Sequence, residues 1–168
     1  MLDDPYLYRV KTIVSAYDGD TCNVILHASR QTPRQEIDFG FGDVIVIEGQ
    51  TITKDTFVEV RMYGFDTPEL KDKRPDWKAA AYLARDKAVE WLESALNGPG
   101  LLMRTHRDRS GKYGRFLANF LRADDHNSTL KLYLMNNNLA VLYHGQSKDD
   151  IAAAHAENIA ALKERGEI

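Results

Sequence analysis

The stretch Tyr8-Arg9-Val10-Lys11-Thr12-Ile13-Val14-Ser15-Ala16-Tyr17, then Asp18-Gly19-Asp20, then Thr21-Cys22-Asn23-Val24-Ile25-Leu26-His27-Ala28 reads as two β-strands about a tight turn. Val10, Ile13 and Val14, and again Val24, Ile25 and Leu26, are β-branched or apolar and suit a pleated, half-buried surface. Asp18-Gly19 between them is the commonest short hairpin signal. Working outward, residues 30–42 are polar and glycine-bearing. Val44-Ile45-Val46-Ile47, the turn Glu48-Gly49-Gln50 and Thr51-Ile52-Thr53 then predict a second hairpin, and Val58 to Tyr63 a further strand that ends at Gly64. Asp76 to Asn97 carries Trp77, Ala81, Ala84, Ala88, Trp91, Leu92 and Ala95 at helical spacing and stops at Gly98-Pro99. Leu101 to His106 and Phe116 to Leu121 are strands around a basic loop. Residues 128–137 predict a short helix with Asn138 as a left-handed cap. Ser147 caps a last helix, about 147–166, with Asp150 three residues on. The expected fold is α+β: one domain with a small β core and about three helices.

The chain has 168 residues, 43% of them apolar, which fits one compact domain. No run approaches the roughly 20 apolar residues that span a bilayer, and Met1 to Pro5 lacks the basic start of a secretion signal. Cys22 is the sole cysteine, so an internal disulfide and a thiolate metal cluster are excluded. A cytoplasmic setting, in a bacterial cell or a phage-infected host, is the expectation, with no membrane partner and a monomer as the simpler state. Net charge is −3, yet the middle third is basic. Residues 1–60 carry 5 basic and 10 acidic side chains, residues 61–122 carry 13 and 8, and residues 123–168 carry 4 and 7. A local basic surface attracts a polyanion even on an acidic chain, although ordinary solvated charges give the same count.

Three short segments carry chemistry-bearing residues, each at the end of a predicted strand. Asp18-Gly19-Asp20-Thr21 is by itself only a turn. Arg61-Met62-Tyr63-Gly64-Phe65-Asp66-Thr67-Pro68-Glu69 places an arginine inside a strand and two acids around a proline-stiffened exit. Lys112-Tyr113-Gly114-Arg115 forms the tip of a hairpin that also holds Arg104, Arg107 and Arg109. Read functionally, that tip is a nucleic-acid clamp in which Lys112, Arg107 and Arg109 meet phosphates and Tyr113 stacks on a base. Read plainly, it is a basic β-turn.

Together, in this order and spacing, the segments resemble the staphylococcal nuclease (thermonuclease) family over about Tyr8 to Gly145. Weaker support comes from Leu139-Ala140-Val141 with Tyr143 and from Asp38-Phe39-Gly40-Phe41-Gly42. The resemblance implies an OB-fold-like five-stranded barrel with packed helices. It implies a calcium ion, with magnesium a second choice, held by Asp20, Asp66 and the Thr67 carbonyl. Glu69 would orient or deprotonate the attacking water, Arg61 and Arg115 would hold the scissile phosphate, and Tyr113 would lie near it. DNA, RNA or both would be cut to leave 3′-phosphate ends. Elementary chemistry agrees: a phosphodiester repels an anionic nucleophile, and a hard cation with guanidinium groups relieves that repulsion. Carboxylate and carbonyl ligands without paired His or Cys suit calcium or magnesium.

The chain departs from the family pattern at Gly111, where an Asp is common, and at Asn138, where a Gly is common. Residues 29–57 are long for the family and would hold an extra hairpin, a dimer contact or a substrate guide. Trp77 and Trp91 read as core, Cys22 as packing, and the last helix as a packing element. None of the five histidines shows ligand-like spacing. The alternative functions are a barrel that binds nucleic acid without cutting it, and a structural protein on the same scaffold. A binding module predicts gaps among the acids and arginines, and Asp20, Arg61, Asp66, Glu69 and Arg115 are all present.

Overall fold

The structure, a computed structural model, describes residues 6–38, 44–106 and 116–168. Strands β1 (Leu7–Asp18) and β2 (Thr21–Gln31) pair across the Asp18–Thr21 turn, as the two apolar, β-branched runs about Asp18-Gly19 predict. β1 carries irregularities at three places, between Val10 and Thr12, Ile13 and Ser15, and Ala16 and Asp18. Such bulges sharpen strand twist and let a small sheet curl on itself. β3 (Gln35–Asp38) and β4 (Val44–Ile47) form a separate hairpin, and β5 (Thr51–Met62) returns beside β2. After the short β6 (Phe65–Asp66) come helix α1 (Pro75–Asn97), strands β7 (Leu101–Thr105) and β8 (Phe116–Arg122), helix α2 (Leu130–Asn136), β9 (Val141–Leu142) and helix α3 (Lys148–Glu164). The barrel closes in the order β1-β2-β5-β8-β7, with β5 and β8 parallel and its other pairs antiparallel. This is an α+β fold, an OB-fold-like five-stranded barrel with three helices.

Alternation decides what fills the barrel. Cys22, Val24 and Leu26 on β2 and Val58, Val60 and Met62 on β5 point inward and are buried, as are Met103, Ala118 and Phe120. α1 buries Ala80, Ala81, Ala84, Ala88, Leu92 and Ala95, and these small residues let the helix lie close against β1. Pro75 opens α1, and the Gly98 amide donates to the Ser94 carbonyl at its end (3.1 Å), so the predicted stop holds. Asn138 adopts φ 59°, and Ser147 with Asp150 forms the complete capping box that their spacing predicts. Trp77 and Trp91 are half-buried against the core, and Arg74 lies over the Trp77 ring at 3.4 Å.

The 29–57 region differs from expectation. β4 does not pair with Thr51–Thr53 but with β3, in the register Gln35↔Ile47 to Asp38↔Val44. Thr51–Thr53 and Val58–Met62 belong to one strand, which pairs with β2 without a break from Gln31↔Thr51 to Thr21↔Arg61. The apolar run at 44–47 signals a strand but not its partner. The polar Thr51–Thr56 run continues β5 because β2 beyond Leu26 offers it an unbroken ladder. Beyond Leu26 and before Val58 this ribbon leaves the barrel and is largely exposed.

Candidate active site

Gly19 sets the position of Asp20. A Cβ at residue 19 would stand 2.8 Å from Thr67 Cγ2 and 3.1 Å from both Thr67 Oγ1 and Ala84 Cβ. Only a residue without a side chain lets the first turn sit against the Thr67 segment and α1. The Asp20 carbonyl accepts from the Met62 amide (2.8 Å), which ties the turn to the end of β5. Its side chain is nearly inaccessible; Oδ1 accepts from the Thr21 hydroxyl (3.1 Å). Burial pushes the Asp20 carboxyl up to about 8; Arg61 opposes this, while Asp18 and Asp66 add to it.

Arg61 sits on β5 opposite Thr21, so the β2–β5 register carries it to the same turn. Its Nη2 lies 3.2 Å from Asp20 Oδ2 and 3.2 Å from Asp66 Oδ1. Burial works against the Arg61 charge, but the Asp20, Asp66 and Asp18 carboxylates outweigh it and hold the guanidinium above arginine's usual range. Burial favours a neutral Asp20 while the ion pair favours an ionised one. The upward direction prevails because burial outweighs the attraction of Arg61, and Asp18 and Asp66 add to it. The two carboxyl oxygens, each one such contact from a single nitrogen, can be separated by no more than twice that distance.

Asp66 is placed by β6, whose residues Phe65 and Asp66 pair with Leu142 and Val141 of β9. The buried Leu139-Ala140-Val141 segment leads into β9, and its Val141 is the register partner of Asp66. Gly64 enters this strand at φ +83°, a backbone that side chains resist, and its carbonyl accepts from the Tyr143 amide (3.2 Å). Thr67 is buried, and its Oγ1 has no hydrogen-bond partner among the described residues. Glu69 stands apart from the Asp20–Arg61–Asp66 cluster. It is half-exposed and its carboxylate accepts from Lys148 Nζ at the start of α3. Lys148 is near enough to feel the Asp66 and Arg61 charges, although Glu69 chiefly holds its ammonium above the usual lysine range.

His155 is the site residue that sequence reasoning missed. It is 3% exposed, and its Nε2 lies 3.1 Å from Asp66 Oδ2. The signal available was its place in the buried stripe Ile151, His155, Ile159, Leu162, where an apolar residue is expected. Arg115, Lys112, Tyr113, Arg107 and Arg109 lie outside the described residues. At the boundary of that loop the Tyr63 and His106 rings stack with centroids 4.1 Å apart. Leu117, two residues after Arg115 in sequence, is registered with Arg61.

The cluster carries more acid than base: Asp18, Asp20 and Asp66 surround Arg61. Among the described residues no three His, Cys, Asp or Glu side chains gather as a metal cluster. That is compatible with the expected set, which has two carboxylates and a backbone carbonyl. Three features fit a hard cation: oxygen-only donors, a buried acid short of counter-charge, and the unpartnered Thr67 hydroxyl beside it. Set against known proteins, the chain matches no family model and no curated protein.

Proposed function

We propose that this protein is a metal-dependent nuclease that hydrolyses phosphodiester bonds of DNA, RNA or both. The observation that carries the reading is the meeting of Asp20 and Asp66, from distant segments, on one nitrogen of Arg61. Asp20, Asp66 and the Thr67 carbonyl would hold the cation, calcium first and magnesium second. Bound there, a divalent ion would withdraw charge from a phosphate oxygen and so ease the approach of water. Arg61 has N–H groups other than those serving the two acids, and these have no partner among the described residues. They suit the non-bridging oxygens of a phosphate, with Arg115 as the second fork. Glu69 takes a proton from the attacking water as the new O–P bond forms; the bond to the 5′ oxygen breaks and that oxygen takes a proton from solvent, leaving a 5′-hydroxyl and a 3′-phosphate. Its half-exposed position suits a proton acceptor that is not a ligand. Lys112, Tyr113, Arg107 and Arg109 would contact the remainder of the strand.

The test is incubation of purified protein with plasmid, single-stranded DNA and RNA, with calcium, with magnesium and with a chelator. Degradation is expected with calcium and none with chelator. Arg61→Ala is expected to lower the rate by about 10² or more, and Glu69→Gln by about 10² to 10⁴. Arg115→Ala should fall with them. If all three variants cut as fast as the parent, these assignments are wrong. Retention of substrate without cleavage under every cation would favour a binding module instead.

A further inference from the structure

α3 begins beyond the stretch that resembles the nuclease family, yet it reaches the proposed site. We infer that His155 is a positioning residue, a hydrogen-bond donor that fixes the Asp66 carboxylate for a bound cation; this rests on the functional reading above.

The geometry ties His155 to one oxygen of Asp66. Asp66 Oδ2 accepts, so the proton lies on Nε2. Nδ1 is buried and has no partner among the described residues. The ring therefore orients Asp66 from the buried face of α3. With Oδ2 held by His155 and Oδ1 by Arg61, the carboxylate has one orientation, and its negative charge remains for a cation.

The helix is fastened to suit this task. Asn158, almost one turn after His155, donates to the Ala140 carbonyl (3.1 Å) and accepts from the Asn138 side chain (3.0 Å). Ala140 immediately precedes Val141, the register partner of Asp66. Arg165 Nη1 donates to Asn138 Oδ1 (2.8 Å), and Ile151, Ile159 and Leu162 are buried around the histidine. α3 and the strand that carries Asp66 thus share one anchor, so the His155–Asp66 distance is held by both. The Lys148–Glu69 pair at the other end of α3 is exposed, and the inference does not depend on it.

The test compares terbium(III) luminescence and calcium competition in the full chain for the parent, His155→Gln, His155→Asn and His155→Leu, with urea midpoints alongside. Glutamine can present an amide N–H near the place of Nε2; asparagine is too short and leucine has no donor. His155→Gln should bind within about threefold of the parent, and His155→Asn and His155→Leu roughly 10- to 100-fold more weakly. If the leucine variant does not fold, the Gln–Asn pair decides alone. Equal affinity in all folded variants, or affinity that follows the urea midpoint rather than the donor, overturns the positioning role and leaves the nuclease reading standing. A parent protein that binds neither ion removes the functional reading and this inference together.

Discussion

Replacing Gly19 with alanine adds one methyl group at the point where the Asp20 turn meets the Thr67 segment. The new Cβ would lie 2.8 Å from Thr67 Cγ2 and 3.1 Å from Ala84 Cβ and Thr67 Oγ1. Thr67 is a stiff β-branched residue buried to 3% exposure and Ala84 belongs to a helix, so neither neighbour can swing aside. Overpacking of this kind costs about 1–3 kcal/mol. With a urea slope of about 2 kcal/mol/M, the unfolding midpoint should fall by roughly 0.5–1.5 M. The clash is with Thr67, so Thr67→Ala should restore part of that loss in the double variant, with a coupling of about 0.5–3 kcal/mol in a double-mutant cycle. The same displacement moves Asp20 relative to Asp66, so calcium should protect Gly19→Ala against unfolding less than it protects the parent. An unchanged midpoint in Gly19→Ala, or strictly additive variants, would refute the close approach on which the convergence of the segments depends.

Asp20 predicts a pH dependence. Its folded-state value of about 8 lies above the roughly 3.9 of an unfolded aspartate. Between those values the folded protein keeps a proton that the unfolded chain has lost. This group's contribution is therefore full below about pH 4 and is lost as pH rises through 8. Metal-free Asp20→Asn should lose less stability than the parent between pH 5 and 8 in urea titrations, and calcium binding to the parent at pH 7 should release about one proton, measured by calorimetry in two buffers. Parallel pH curves for the two proteins would contradict the assignment. The Cys22 thiol is buried in the barrel, and burial pushes it up to about 12. A thiol reagent at pH 8 should label it only at the rate of unfolding and promptly in denaturant, and fast labelling of the native protein would show that the barrel interior is open.

Much of the barrel was legible because its local patterns are strong. β1 and β2 alternate about Asp18-Gly19, α1 repeats alanine at helical spacing, and Ser147 with Asp150 marks the start of α3. The pairing of β4 was not legible, since Val44–Ile47 has the same propensity whichever strand lies beside it. Strand partners are chosen at long range, by the ladder that β2 offers and not by the apolar run itself. The convergence of Asp20, Arg61 and Asp66 was expected from their resemblance to a known family; the Thr21↔Arg61 register brings Arg61 to the Asp20 turn, while β9 holds Asp66 from a separate two-stranded sheet. His155 was missed because it lies on a helix whose composition reads as packing; its place beside Asp66 follows from where α3 docks. No local spacing of histidines encodes that docking.

A nuclease site of this kind requires Asp20 and Asp66 to share one cation. Calorimetric titration of calcium into the parent, Asp20→Asn and Asp66→Asn, each shown to be folded, tests it. One ion per chain is expected for the parent, with affinity at least roughly tenfold weaker in each single variant, because each removes one charged ligand. If either variant binds calcium as tightly as the parent, the two carboxylates do not serve the same ion and the proposed site is wrong.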